Sequence, residues 1–297
     1  FSIALDPLNL LCCFVGVFLG TLVGVLIAKT ISKGIIDTHL TAGWTGVYLI
    51  LAVLIGAIGW DLITWWLGIP SSSSHALVGG LIGAAVLENG VMVIKLGGLE
   101  KVIIALAISP ILGLVAGYIA MKTVLFLVRP AGPGINTVFT RSQIVTAVAL
   151  ALSHGTNDAQ KTMGVITLGL VSAKVIPTFQ VPVWVIALSA SAIAIGTWTG
   201  GWRLIRTLGG KFYKIRPVHG FTTQIASASV ILGAALLGGP VSTTQVVSSV
   251  IIGVGSAERV SQVRWGVAGQ IVMAWVTTIP VSAVLSAIIA AIIRSWV

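Results

Sequence analysis

Long apolar stretches alternate along the chain with short segments that carry basic residues, glycine or proline. Each stretch is near or above the roughly 20 residues that a helix needs to cross the hydrocarbon core of a bilayer. The stretches cover residues 8–28, 44–67, 102–128, 181–201, 221–237 and 267–293. This pattern predicts an all-α fold, a polytopic helical membrane protein surrounded by membrane lipid.

Two short polar segments within this apolar background resemble each other. The first, GIPSSSSHALVGGLIGAAV, covers residues 68–86, and the second, GGPVSTTQVVSSVIIGVG, covers residues 238–255. Pro70 of the first segment has its counterpart 170 positions later, at Pro240, and a cluster of hydroxyl side chains follows each proline. A polar cluster that opens a short helix at membrane depth, and that occurs twice, is typical of the substrate site in transporters built from repeats.

The duplication divides the chain into a first repeat over 1–128, a linker over 129–141 that is rich in proline and glycine, and a second repeat over 142–297. A basic motif also occurs twice, at Lys29 and at Arg206, 177 positions apart. The number of crossings between these motifs is odd, whether the short polar elements cross the membrane or are re-entrant. The two repeats are therefore predicted to be inverted relative to each other.

A third polar segment, LSHGTNDAQKTMGVITLGL over 152–170, lies in the second repeat. Ionisable groups are costly inside a membrane and usually mark an ion or substrate path. We expect Gly155 to break the helix, so that a half-helix remains on each side. The carboxylate of Asp158, together with the carbonyl groups of the unwound backbone, is then predicted to hold Na⁺ or a proton. The N-terminus of a half-helix is predicted to hold an anion. The alternative is a structural pair between Asp158 and Lys161.

The amino-acid composition further narrows the class of protein. Only 8% of residues are charged, against about 25% in soluble domains. The net charge of +10 is concentrated in short loops, chiefly over 203–219, which favours a cytoplasmic loop over a nucleic-acid partner. The sequence has no nucleophile–base pair, metal-ligand cluster or nucleotide-binding loop, so we predict neither an enzyme nor a cofactor. The expected location is a bacterial or archaeal plasma membrane.

The segments HGTNDAQKTMG, GIPSSSSHALVGG and PVSTTQV are similar to those of the inorganic phosphate transporter (PiT) family. The resemblance covers nearly the whole chain. It implies symport of inorganic phosphate with Na⁺ or H⁺ by alternating access, at a site between the repeats. By position, Asn157 and Asp158 match the family's Asn-Asp pair, and we predict that they hold the coupling cation. We consider His75, His154 and Gln245 as candidates for coupling or gating. The residues at 72–74 and 242–244 match the family's two hydroxyl clusters. The predicted substrate contacts are Ser72, Ser73, Ser74, Ser242, Thr243, Thr244, Asn157, Gln160 and Lys161.

Two features depart from the family's pattern. The offset of 177 positions places the first repeat's counterpart of the segment at Gly155 before Phe1, so the first repeat is predicted to be incomplete at its N-terminus. Gln245 stands where we expect histidine in the closer bacterial members.

Several alternatives stay open at this stage. The same scaffold carries sulfate or a related oxyanion in some relatives, and broken-helix repeats also occur in channels, including anion channels. Hydroxyl groups can merely cap helices, and His75 or His154 can merely satisfy backbone carbonyls. Asp61 is as compatible with a position near the lipid headgroups as with one on the path. A homodimer is also left open.

Overall fold

The computed structural model describes residues 43–132, 134–199 and 201–296, together with Leu11, Val15, Ala28 and Ile35. Within these ranges the chain forms nine α-helices and two short 3₁₀ turns, and the all-α prediction is confirmed. The helices are α1 Trp44–Leu67, α2 Ser73–Asn89, α3 Leu96–Leu127, α4 Ile135–Ser172, α5 Val183–Thr199, α6 Trp202–Gly210, α7 Pro217–Leu236, α8 Thr243–Arg259 and α9 Trp265–Trp296. Most of the predicted stretch over 8–28 lies outside the described residues.

Four helices in the described part of the chain are long and apolar enough to cross a membrane, namely α1, α3, α4 and α9. Their outward faces carry large apolar side chains, such as Ile111 and Ile119 on α3 and Val276 on α9, each more than half exposed. Such surfaces are stable only against lipid or another apolar partner. The chain is an integral membrane protein, as the apolar pattern predicts.

The second half of the chain repeats the order of elements in the first. Helices α2 and α8 each have 17 residues and each begin after a serine cap, Ser72 or Ser242. Each is followed by a 3₁₀ turn and then by a 32-residue helix with an internal proline, Pro110 in α3 or Pro280 in α9. This order is what the predicted duplication requires, while the boundaries of the repeats and their inversion stay predictions.

The two short helices are exchanged between the halves of the chain. Helix α2 packs mainly against α9, and α8 packs mainly against α3. A Cβ atom on Gly83 would lie 2.0 Å from the carbonyl oxygen of Ala283, and one on Gly253 would lie 2.2 Å from that of Leu114. Only glycine permits backbones to approach so closely. The exchange creates two similar packed units, α2/α9 and α3/α8.

The predicted break at Gly155 is wrong, because α4 is one continuous helix from Ile135 to Ser172. Its polar side chains face neighbouring protein rather than lipid, so they can be satisfied without unwinding the backbone. The non-helical part of the predicted linker is also shorter than 129–141, since α4 begins at Ile135. The basic segment over 203–219 is not only a loop, because it begins within α6.

Candidate functional site

The hydroxyl clusters of the two duplicated segments meet in the structure. Ser242 Oγ donates a hydrogen bond to Ser72 Oγ at 2.7 Å, and both side chains are almost fully buried. Each serine also caps its own helix, accepting from the backbone N–H of His75 or Gln245. Helix N-termini carry unsatisfied N–H groups and a partial positive charge. Their meeting point is therefore a favourable place for an anion.

Helix α4 presents Asp158 to this junction. The carboxylate accepts hydrogen bonds from Lys161 Nζ at 2.5 Å and from Thr243 Oγ1 at 2.6 Å. His154 Nδ1 lies 3.3 Å from the same oxygen that accepts from Thr243. Asp158 therefore connects α4 to the first turn of α8, and both of its oxygen atoms are engaged.

Lys161 lies at the centre of the junction and is almost completely buried. Its ammonium donates to Ser74 Oγ at 2.7 Å and to the carbonyl oxygen of Val241 at 2.7 Å, in addition to Asp158. An ammonium has three donors, and all three are used. Lys161 thus joins α4 to both duplicated segments at once.

A cavity of about 500 Å³ opens beside the junction. Its volume is within the usual range for a small-molecule site. The lining residues are Ile58, Asp61, Leu62, Thr64, Trp65, Ile69, Pro70, Ser71, Ser73, His154, Leu204, Leu208, Thr243, Thr244 and Val247. Hydroxyl groups from both duplicated segments therefore share one cavity wall with a carboxylate and an imidazole.

The predicted site residues divide into two groups. Ser73, Thr243, Thr244 and His154 line the cavity. The others are set back from it: Ser72, Ser74, Ser242, Asn157, Gln160, Lys161, His75 and Gln245 are buried, and Asp158 is partly buried. His75 Nδ1 lies 2.6 Å from Ser72 Oγ, so this histidine supports the cap.

Two buried amides stand out within this second group. Neither amide atom of Asn157 has a hydrogen-bond partner among the described residues, and the same holds for Gln245 Oε1. Buried polar atoms without partners are rare and call for an explanation such as a ligand or water. Both amides remain candidates for contact with transported species.

Sequence reasoning left Asp61 open and did not single out Thr64 and Ser71. Thr64 Oγ1 lies 2.6 Å from Ser71 Oγ, which ties the end of α1 to the segment before α2. Asp61 is one helical turn before Thr64 and lines the same cavity. The available signal was a lone carboxylate within an apolar span, which usually faces a path rather than lipid.

A second polar cluster lies at the far end of α8. Arg216 forms an ion pair with Glu258, and His219 Nε2 lies 2.7 Å from the same carboxylate. Tyr213 donates to the carbonyl oxygen of Ile251 at 3.1 Å. Burial and the nearby Glu258 raise the pKa of the Tyr213 hydroxyl, so it remains a donor. The segment between α6 and α7 is thereby fastened to α8.

Comparison with known proteins connects this arrangement to one family. The family model described as "Phosphate transporter family" matches residues 8–133 and 128–286. The "Probable low-affinity inorganic phosphate transporter" of Bacillus subtilis (strain 168) is 45% identical over 263 residues, which are 88% of this chain and 78% of that protein. The protein of the same description from Mycobacterium tuberculosis (strain ATCC 25618 / H37Rv) is 44% identical over 264 residues, 88% of this chain and 62% of that protein.

A solved structure shares the fold. It is described as "The sodium-dependent phosphate transporter", and it matches with a TM-score of 0.85 over 97% of this chain and 90% of that chain. The sequence identity is 24%. The arrangement of helices is therefore common to both proteins.

Proposed function

This chain belongs to the phosphate transporter family, and we propose that it carries inorganic phosphate across the membrane as a secondary transporter coupled to a cation. The observation that carries the proposal is the contact between the Ser72 and Ser242 caps, which brings the N-termini of α2 and α8 together beside a cavity. The relatives named as inorganic phosphate transporters support the choice of substrate.

Phosphate would bind in the cavity against hydroxyl groups from both duplicated segments. Ser73, Thr243 and Thr244 line the cavity. The hydroxyl groups of Ser73 and Thr244 can each donate to a phosphate oxygen, whereas Thr243 already donates to Asp158. The partial positive charge of two helix N-termini favours the anion. Lys161 adds a full positive charge behind this wall, although Asp158 neutralises much of it.

The carboxylate of Asp61 favours phosphate over sulfate. Asp61 lines the same cavity as the hydroxyl groups. Hydrogen phosphate can donate a hydrogen bond to a carboxylate, whereas sulfate has no hydrogen to donate and would be repelled. Hydroxyl donors and Asp61 together therefore select an oxyanion that both accepts and donates hydrogen bonds.

Alternating access fits the two packed units. In our proposal the unit α2/α9 moves relative to the unit α3/α8, and the site at their junction opens to one side of the membrane at a time. The repeats over 1–128 and 142–297 would be inverted, so that the two open states are similar in shape. A fixed open channel is less well supported, because buried hydrogen bonds from Lys161 and Ser242 join the segments across the junction.

Uptake into proteoliposomes tests the proposal. The protein should take up labelled phosphate under an imposed proton or sodium gradient and should exchange it in counterflow, while excess sulfate competes weakly. Asp61→Asn should allow sulfate to compete, because the repulsion is removed. Glu100→Gln, a change at an exposed carboxylate on α3, is the matched control and should leave the selectivity unchanged. Equal competition by sulfate in the unmodified protein would contradict the role of Asp61, and the lack of counterflow would contradict transport.

A further inference from the structure

Exposed basic side chains are grouped at the end of the molecule where α8 ends. They come from α6, from the segment that follows it, from the last residue of α8 and from the segment before α9. We call this group the basic face: Arg203, Arg206, Lys211, Lys214, Arg259 and Arg264. The backbone N–H of Arg264 donates to the carbonyl oxygen of Phe212 at 3.0 Å, so the segments before α7 and before α9 lie side by side.

The directions of the helices show which chain segments share this side of the membrane. Gly113 and Gly117 of α3 approach the backbone of Val246 and Val250 of α8, in that order. The two helices therefore run in the same direction and end on the same side. Helix α9 begins there, shortly after α8 ends, and α4 begins there, shortly after α3 ends.

The charges on the two sides are unequal. On the opposite side, the ends of α2 and α4, the start of α3 and the end of α9 carry both signs of charge: Glu88, Lys95, Glu100, Lys101, Lys174 and Arg294. Among the described residues on the side of the basic face, the carboxylate outside the cavity is Glu258, and Arg216 already pairs with it. An excess of lysine and arginine marks the cytoplasmic side. The lipid leaflet on that side carries the anionic headgroups.

Exposed tryptophans place the basic face at the level of the headgroups. The guanidinium of Arg203 lies 5.9 Å from the ring centre of Trp66 and donates to its carbonyl oxygen. Trp66 at the end of α1 and Trp265 at the start of α9 are both exposed. Tryptophan is enriched where a membrane meets water. The basic side chains are therefore within reach of lipid phosphate groups, which favours lipid over a soluble polyanion as the partner.

Helix α6 has one side on the protein and the other on this surface. Leu204 and Leu208 line the cavity, and Thr207 Oγ1 donates to the carbonyl oxygen of Gly68 at 2.8 Å. Arg206 is exposed. A helix with apolar residues on one side and arginine on the other is typical of helices that lie in the membrane interface. A headgroup bound to Arg206 would thus contact the same helix that forms part of the cavity wall.

We propose that the basic face binds the headgroups of anionic phospholipids and that these lipids hold α6 in place against the cavity. Arginine and lysine donate charge-assisted hydrogen bonds to phosphate oxygens, and an anionic headgroup adds a net negative charge that a zwitterionic one lacks. This surface lies outside the substrate cavity. Lipid binding there is independent of which ion the protein transports.

The first test compares an anionic with a zwitterionic lipid. A ligand that binds only the folded protein raises its melting temperature. In detergent, added phosphatidylglycerol should raise the melting temperature saturably and by several degrees more than phosphatidylcholine does. Equal shifts with the two lipids would overturn the proposal.

Two matched variants locate the effect. The triple variant Arg206→Gln, Lys211→Gln, Lys214→Gln changes exposed side chains of the basic face and should lose most of the difference between the two lipids. The control variant Lys101→Gln, Lys174→Gln, Arg294→Gln removes the same charge from exposed positions on the opposite side and should keep that difference. An equal loss in both variants would show that net charge, and not the basic face, attracts the lipid.

Inorganic phosphate separates a lipid site from a site for free phosphate. At equal ionic strength, inorganic phosphate should stabilise the unmodified protein and the triple variant to the same extent, because the substrate cavity is unchanged. If its stabilisation disappears in the triple variant while the difference between the lipids persists, the basic face binds free phosphate and the proposal is wrong.

Hydrogen exchange of the unmodified protein tests the effect on α6 directly. In nanodiscs of phosphatidylcholine, the addition of phosphatidylglycerol should slow exchange several-fold over residues 203–216. Exchange near Asn89, at the end of α2 on the opposite side, should not change. Unchanged exchange over 203–216, or equal slowing at both places, would contradict the proposal.

Discussion

The packed units α2/α9 and α3/α8 share one glycine contact, at Gly83 and Gly253 of the short helices, and differ in which helix carries the next glycine. In α2/α9 the short helix carries Gly79, where a Cβ atom would lie 2.4 Å from a backbone oxygen of α9. The position 170 residues later, Ser249 on α8, bears a side chain. In α3/α8 the long helix carries Gly113, where a Cβ atom would lie 2.7 Å from a backbone oxygen of α8, and its counterpart on α9 is Ala283. The duplicated architecture thus constrains the distance between the paired helices, and the glycine that permits this distance can lie on either helix.

The two short helices also differ in how their ends are held. Both are capped by serine at the junction. At the far end of α8, Glu258 bonds to Arg216 and His219. Glu88, the equivalent position on α2, has no ion pair within the part of the chain that the structure describes. Helix α8 is therefore fastened at both ends by polar contacts, while α2 depends more on packing along its length.

The largest effect is expected where the two units are joined through α4. Asp158→Asn removes the charge that neutralises Lys161 and leaves a buried ammonium without its counterion. Breaking a buried pair in this way costs about 3–5 kcal/mol. We expect a large fall in melting temperature and loss of phosphate uptake. Asp158→Asn protein that melts and transports normally would show that this pair does not join the units.

The next largest effect is expected for a substitution at Gly79, where α2 approaches α9. Gly79→Ala should destabilise the protein by about 1–3 kcal/mol, because the new methyl group meets the backbone of α9. Ser249→Ala, at the equivalent position on α8, should cost less than Gly79→Ala because it adds no volume. Melting temperatures of the two variants, measured in the same detergent, provide the comparison. Equal destabilisation by the two substitutions would contradict the claim that α2 depends on a glycine at this position and α8 does not.

The serine caps should differ by a smaller amount. Ser72 contacts the backbone N–H and the imidazole of His75 as well as Ser242, whereas Ser242 contacts the backbone N–H of Gln245 and Ser72. Loss of a cap costs about 0.5–2 kcal/mol, and Ser72→Ala should lie nearer the upper end than Ser242→Ala. Thermal melting of both variants tests the order, and the reverse order would contradict it.

The smallest effect is expected at the far end of α8. Glu258→Gln weakens a partly exposed ion pair with Arg216, and such pairs contribute about 0–1 kcal/mol. Protection of backbone amides near the end of α8 should fall in hydrogen exchange, whereas Glu88→Gln on α2 should leave its own helix end unchanged. Similar exchange at both helix ends in both variants would remove this difference between α2 and α8.

Much of the fold follows from local sequence. The duplicated segments predicted two short helices, because proline and the hydroxyl cluster specify a helix start wherever they occur. The apolar stretches over 44–67, 102–128 and 267–293 predicted the spans α1, α3 and α9 for a similar reason, since length and hydrophobicity are sufficient there. They did not include α4, whose polar segment interrupts its apolar sequence.

The rest depends on contacts between distant residues. The sequence around Gly155 suggested a broken helix because its polar groups lacked visible partners. The partners of Lys161 include Ser74 and Val241, which are at least 80 positions away along the chain. The face on which Asp61 lies is likewise decided by the packing of α1, and periodicity alone did not resolve it.

The most direct test of the account is a structure of the protein determined with phosphate bound. The junction of α2 and α8 predicts phosphate in the adjoining cavity, with its oxygen atoms within hydrogen-bond distance of the hydroxyl groups of Ser73 and Thr244. Phosphate bound at another place, with this cavity empty at saturating phosphate, would contradict the claim that the paired helix N-termini form the substrate site.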